Sequence, residues 1–403
     1  MKRLLLLFIL LLSILTAYPQ SQPYVILVSF DGFRWDYLNR GITPNLEKIK
    51  NDGVSAISLR PVFPSKTFPN HLSIITGMYA ENHGIISNSF PNFEKDYWYR
   101  MSDTSAVRDS KWYLGEAFWE TAERQGIRTA SYFWPGSELS LEHRHPSYRE
   151  FYEHERPYAQ RVEGVINWLK LPYEERPHFI TLYFDDTDTY GHKFGTNSSE
   201  VNEAIMRLDS ITAKLMKGLA DIGMKDSVNV IFLADHGMTD VSEEKVVNIE
   251  NMIKDYNCRF MDDGPLMQVD PPAGSVLEVY EILKRNESHY KVYLKKDIPE
   301  YFHYNKNPLT FSILLVAEIG WSLTRNKKSN YGRSGGNHGY DNNHLDMHGI
   351  FIADGPAFKN SYKTGTLWNI DVYPLLCKIF NIYPRTNIDG KLERIEFILE
   401  QLR

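Results

Sequence analysis

Cysteine is nearly absent from this chain of 403 residues: only Cys258 and Cys377 occur, so one disulfide at most could form, and spacing alone does not decide whether it does. An excess of positive charge is missing as well. Lysine and arginine total 45 against 51 aspartate and glutamate, a net charge of −6, which gives no hint of a nucleic-acid scaffold with its usual basic face. No internal repeat or low-complexity tract occurs. No apolar run reaches the ~20 residues that span a bilayer. The greasiest stretch, Leu4 to Leu15, follows Lys2-Arg3 and precedes Thr16-Ala17. That order reads as a secretory signal peptide over 1–20, leaving 21–403 as a single domain bound for the periplasm or the medium. No cysteine follows the run to carry a lipid anchor, and no second span is expected.

What the chain does have is a large supply of core. Hydrophobic residues are 42% and aromatics 13%. Four short apolar runs are expected to be buried strands: Tyr24 to Phe30, Phe179 to Phe184, Val228 to Ala234 and Met347 to Ala353. Helical spacing lies between them, as in Val201 to Leu219, where Ile205, Leu208, Ile211, Leu215 and Leu219 share one face. Strands alternating with helices predict an α/β fold with a mostly parallel central sheet covered on both faces.

The strand ends carry the chemistry. The first run ends at Asp31, the second at Asp185-Asp186 with Asp188 close behind, and the third at Asp235-His236. Ligands of open α/β sheets bind beyond the carboxyl ends of the strands, so three strands deliver carboxylates to one edge. Gathered there they repel one another unless a cation sits among them.

Four constellations carry this chemistry further. Asp188 and His192 stand four residues apart just after a strand, a reasonable pair of metal ligands, although a solvated aspartate and a capping histidine fit too. Asp235-His236-Gly237 could turn both side chains onto one ion, or simply form an Asp-stabilised turn. His338 lies in the glycine-flanked loop Gly336 to Asn342, with His344 and His348 as competitors. Thr67 precedes a helical run, Leu72 to Met78, with Pro69 in the expected first turn. There it is an ordinary N-cap or, with free N–H groups around it, a nucleophile poised at an anion site. Two zinc ions roughly 4 Å apart could tie these together. Asp31, Asp235 and His236 would hold one beside the Thr67 oxygen; Asp188, His192 and His338 would hold the other.

These residues resemble the nucleotide pyrophosphatase/phosphodiesterase family of the alkaline phosphatase superfamily. The resemblance runs from Tyr24 to about Asn387 through Ser29-Phe-Asp31-Gly-Phe-Arg34, Lys66-Thr67-Phe-Pro-Asn70, Glu81-Asn-His-Gly84, Asp188 to His192, Asp235-His-Gly-Met238 and His338-Gly-Tyr-Asp-Asn342. It implies an alkaline-phosphatase-like core, Thr67 as nucleophile, the same two zinc sets, and His338 as the third histidine. It further implies that Asn88 donates to a phosphoryl oxygen alongside the Thr67 or Phe68 N–H, and that Phe68, Tyr183 and Tyr152 line the substrate pocket, where a base could stack. The substrate implied is a small nucleotide or other phosphodiester, cleaved to a nucleoside 5′-monophosphate through a covalent threonine intermediate. One departure stands out: Asp186-Thr187-Asp188 replaces the usual Glu-Pro-Asp but keeps the ligand. The chain looks like the bare catalytic domain of a compact bacterial member. It retains the stretch from Trp134 to Tyr158, which favours a closed nucleotide pocket over a lipid channel.

Rival functions are narrowed in the same way. A sulfatase needs Cys- or Ser-x-Pro-x-Arg, which is not found around Thr67. A phosphomonoesterase needs an arginine clamp on the free phosphate oxygens, and none is evident there. A choline-type glycerophosphodiesterase or phospholipase of the same family stays open, because an aromatic pocket also suits a quaternary ammonium.

Overall fold

A computed structural model of the chain describes residues 22–92, 97–325 and 334–400. The expected signal peptide lies outside the described residues. The strands that matter are, in chain order, β1 (Tyr24–Phe30), β2 (Val54–Ala56), β3 (Thr129–Tyr132), β4 (Tyr148–Glu150), β5 (Phe179–Phe184), β6 (Val228–Leu233), β7 (Arg259–Met261), β8 (Leu266–Asp270), β9 (Tyr290–Leu294), β10 (Ile313–Ala317), β11 (Phe351–Asp354) and β12 (Tyr362–Thr364). Eight form the central sheet, in the order β12-β2-β11-β6-β1-β5-β3-β4. All neighbours pair parallel except those of β11, which runs antiparallel to both β6 and β2.

Both sheet faces are buried by simple alternation along each strand. In β1, Val25 and Leu27 enter one core with Ile74, Ile75, Phe118, Leu375 and Leu376 from helices on that side. Ile26, Val28 and Phe30 enter a second core with Val162, Val165, Leu208 and Leu215 on the other. The latter side chains belong to helices α3 (Tyr158–Leu169) and α5 (Ser199–Asp221). The predicted Val201–Leu219 pattern is therefore the buried stripe of α5. Its start is fixed by Ser198, whose hydroxyl accepts the Val201 N–H at 3.2 Å.

A second, four-stranded antiparallel sheet, β7-β8-β10-β9, packs a third core on one face. Its other face sends Met261, Leu266, Leu314 and Val316 into the core shared with the central sheet. None of the residue groups with metal-ligand spacing among the described residues lies on those strands.

One expectation needs correction, and one open question closes. The fourth apolar run is neither parallel nor a strand over its whole length: Leu345–Met347 forms a 3-10 turn and the ladder begins only at Phe351. Residues 347–350 spend their backbone groups elsewhere. Gly237 N–H donates to Met347 O, Leu59 and Gly349 exchange both bonds, and Ile350 N–H donates to Phe33 O. Gly349 lies so close to Ala234 that a Cβ would sit 2.7 Å from Ala234 Cβ. The two cysteines are both free: Cys377 is buried in the first core, while Cys258 lies against the third. No helix among the described residues is long and apolar enough to cross a membrane.

Candidate metal centre and active site

Because β1, β5 and β6 are parallel, the residues just past them emerge at one sheet edge. Asp31 comes directly after β1, and Asp235 comes after β6, one residue past Ala234. After β5 the chain turns into helix α4 (Asp186–Phe194), whose i,i+4 spacing sets Asp188 and His192 on one face, Nε2 to Oδ1 3.4 Å. The turn that aims His236 inward needs Gly237, where a Cβ would stand 2.1 Å from Asp346 O. His338 comes from the loop after Gly335–Asn337. His344 is exposed, and His348 is held away by Ser58 and Asn342.

The distances knit these residues into one cluster. His236 Nε2 is 3.3 Å from Asp31 Oδ1 and 3.1 Å from Asp235 Oδ2. His338 Nε2 is 3.1 Å from His192 Nε2 and 3.6 Å from Asp188 Oδ1. The His236 and His338 rings stack at 3.5 Å. Thr67 Oγ1 lies 3.3 Å from His236 Nε2. Three residue groups satisfy metal-ligand spacing: Asp188, His192 and His338; Asp31, Asp188 and His236; Asp31, His71 and Asp235.

Proton bookkeeping shows what the cluster wants. His192, His236 and His338 each place Nδ1 within 2.8–2.9 Å of a backbone carbonyl, of Gly336, Gly237 and Ser65 respectively. A carbonyl only accepts, so each Nδ1 carries the proton and each Nε2 turns a lone pair inward. Two lone pairs 3.1 Å apart cannot bond each other. The carboxylates repeat the arrangement. Asp31 Oδ2 accepts the Tyr183 hydroxyl at 2.6 Å and Asp235 Oδ1 accepts the Gly32 N–H at 3.3 Å. Asp31 Oδ1, Asp188 Oδ1 and Asp235 Oδ2 are buried and accept no hydrogen bond among the described residues.

The cavity is thus lined largely by acceptors facing acceptors, an arrangement that bound cations would satisfy. Burial, reinforced by Asp235 and Asp188, raises the Asp31 pKa well above the usual carboxylate range. Burial and Asp188 do the same to Asp235. Burial pushes His236 down to about 3 and His338 well down, the latter helped by its neighbouring histidines. Neutral imidazoles with mixed oxygen and nitrogen donors fit zinc.

Thr67 is the first residue of helix α2 (Thr67–Thr76), and no side chain caps that helix. Its first-turn N–H groups therefore face the same edge as the carboxylates. Asn88 Oδ1 accepts the Phe68 N–H at 3.0 Å. Of the two N–H groups expected to act beside Asn88, that of Phe68 is taken by Asn88 itself, which leaves the Thr67 N–H as the alternative.

Beside Thr67, a cavity of about 380 Å³ is lined by Phe68, Trp134, Tyr152 and Tyr183, with Asp185 and Glu138 at its wall. Tyr152 is half exposed and edges onto Tyr183 at 6.2 Å. Sequence reasoning overlooked His71, which is fully buried. Its Nε2 meets Ser29 Oγ at 2.8 Å, and its Nδ1 lies 2.9 Å from Thr67 O and 3.3 Å from Asp235 Oδ2. Its position one helical turn after Thr67 was the available signal.

A family model for type I phosphodiesterase / nucleotide pyrophosphatase matches residues 25–341. The chain belongs to this family. It is a hydrolase with the alkaline-phosphatase-like α/β architecture expected of it. Its sequence is 37% identical over 381 residues to a bis(5′-adenosyl)-triphosphatase of Xenopus laevis, covering 94% of this chain and 82% of that protein. It is 38% identical to a venom phosphodiesterase of Naja atra over 91% of this chain, yet spans only 45% of that longer protein. Among solved structures, murine ectonucleotide pyrophosphatase / phosphodiesterase 5 superposes with a TM-score of 0.89 and 31% identity, over 94% of this chain and all of that one. That structure is an inactive threonine-to-alanine variant in complex with AMP.

Proposed function

We propose that this chain is a two-zinc phosphodiesterase that hydrolyses nucleotide phosphodiester or pyrophosphate bonds and releases nucleoside 5′-monophosphates. One observation carries the reading: three buried carboxylate oxygens and three imidazole lone pairs converge on a space beside Thr67 Oγ1 with no donor among them. In this reading Asp31, Asp235, His236 and Thr67 hold one zinc, while Asp188, His192 and His338 hold the other. Bound there, the ions would favour the ionised threonine oxygen and offset the charge on phosphate.

The chain's own residues do the rest. Phe68, Tyr183 and Tyr152 hold the base in the aromatic cavity. The Asn88 amide and the Thr67 N–H donate to a phosphoryl oxygen and fix phosphorus near Thr67 Oγ1. Thr67 Oγ1 bonds to phosphorus as the bond to the leaving oxygen breaks, giving a threonine phosphodiester. Water then cleaves that ester, restoring the hydroxyl and freeing the monophosphate. The inactive threonine variant of the murine relative, with AMP bound, supports this assignment by likeness.

The test is turnover of a p-nitrophenyl ester of thymidine 5′-monophosphate against p-nitrophenyl phosphorylcholine, with elemental analysis of the purified protein. Preference for the nucleotide ester and about two zinc per chain are expected. Preference for the choline ester would transfer the aromatic cavity to a quaternary ammonium. Export through residues 1–20 is part of the proposal, and a mature N-terminus near residue 21 by mass spectrometry checks it.

A further inference from the structure

Thr67 and Asn88 sit on separate segments, and each has a polar neighbour one residue earlier: Lys66 and Ser87. A residue of the second sheet reaches both neighbours. Asp262, in the connection between β7 and β8, accepts the Lys66 ammonium and the Ser87 hydroxyl on its Oδ1, the latter at 2.8 Å. Lys66 Nζ also donates to Ser87 Oγ at 3.3 Å, which closes the triangle. One residue further along both segments, the Phe68 N–H donates to Asn88 Oδ1 at 3.0 Å. A single hydrogen bond lets two segments pivot about it. Two links on adjacent residues fix their angle as well as their separation, and the one through Asp262 is charge-assisted.

The triangle is built in. The Lys66 and Asp262 side chains are 11% and 7% exposed, and Ser87 is fully buried. The Lys66 stem passes over Gly339, directly after His338, where a Cβ would stand 3.3 Å from Lys66 Cε. Asp262 is held at φ 66°, a left-handed conformation that aspartate and asparagine tolerate better than most residues. Behind it, Gly264 and Leu323 exchange both backbone bonds, and Pro265 O accepts the Ala317 N–H at the end of β10. The carboxylate is thus carried on an anchored support.

A buried ion pair adds little net stability over an apolar pair of the same shape, because desolvation offsets the attraction. What an apolar pair lacks is direction, so the effect of the triangle falls on geometry. Geometry matters most at a donor to a phosphoryl oxygen, where a misplacement of about 1 Å can cost about a hundredfold in rate.

We propose that Asp262 is a positioning residue: through Lys66 and Ser87 it sets the Asn88 amide against Thr67. The second sheet thereby takes part in the reaction without touching substrate. This rests on the roles proposed above for Thr67 and Asn88.

The test uses the full-length protein and the p-nitrophenyl ester of thymidine 5′-monophosphate. Asp262→Gly removes the tether and suits the positive φ. It should lower kcat about 10–100-fold and leave KM within about twofold. Asp262→Asn keeps an acceptor for both donors. Its amide can take the place of Oδ2, which accepts no hydrogen bond among the described residues. It should restore kcat to within about threefold of wild type, which a role for the charge alone would not allow. In an Asn88→Ala background the cost of Asp262→Gly should shrink to about threefold or less. An unchanged kcat, a failed rescue by asparagine or an undiminished cost without Asn88 overturns this inference, provided Thr67 is still required. Ester hydrolysis that survives Thr67→Ala overturns the underlying function instead. Should Asp262→Gly lack a cooperative thermal transition, Ser87→Ala decides: a kcat loss of about threefold or more at constant KM is expected, and no loss overturns the proposal.

Discussion

Two neighbouring cavities of about 380 Å³ lie by the cluster, one rich in aromatic side chains and the other in charged ones. The aromatic one is built on rigid elements, with Phe68 in the first turn of α2 and Tyr183 inside β5. The charged one has the partner of Lys66, Asp262, in the connection between β7 and β8 of the second sheet. Stacking is tolerant of sequence and supplies affinity, whereas matched charges mainly discriminate between partners. In the proposed function the aromatic side is therefore the one suited to holding the nucleoside.

The largest effect should abolish the contrast altogether. Thr67→Ala is expected to cost at least about a thousandfold in kcat for every substrate, with an unchanged thermal midpoint. Stripping the metal should silence both sides too, and zinc should restore them. The stripped protein should also melt several degrees lower, since a ligand at about a thousand times its Kd adds roughly 4 kcal/mol. Tyr183→Phe separates ring from hydroxyl: metal affinity, read by chelator competition, should weaken about 10–100-fold while KM for nucleotides holds. Phe68→Ala touches only the aromatic side and should raise KM for the nucleoside ester about tenfold.

His83 belongs to neither cavity and serves as a control. Burial pushes its pKa down to about 3. Below about pH 6.5 the unfolded chain takes a proton that the folded one refuses, so stability falls as pH drops from there towards 3. The loss should reach roughly 3 kcal/mol by about pH 4. Denaturant titrations of His83→Gln should show a flatter acid limb, with activity near neutrality unaffected.

How much of this was legible depends on range. Asp31, Asp188 and Asp235 could be read because each ends or closely trails an apolar run, and parallel pairing brings such ends together. The interior of β11 was legible, but its start was not, because residues 347–350 bond to loops from three distant segments. His71 hid just past the motif Lys66 to Asn70, since its value lies in facing Asp235, far along the chain. Asp262 could not be read at all. Its partner Lys66 lies 196 residues earlier in the chain, and no local pattern marks the pair.

The main-chain carbonyls behind His192, His236 and His338 have a last consequence. Side-chain partners can be lost by a single base change, but a peptide oxygen belongs to every residue that could stand at Ser65, Gly237 or Gly336. The orientation of the three rings is thus a property of the path of the chain, and at Gly237 and Gly336, where a Cβ would clash with neighbouring backbone, that path itself fixes the residue.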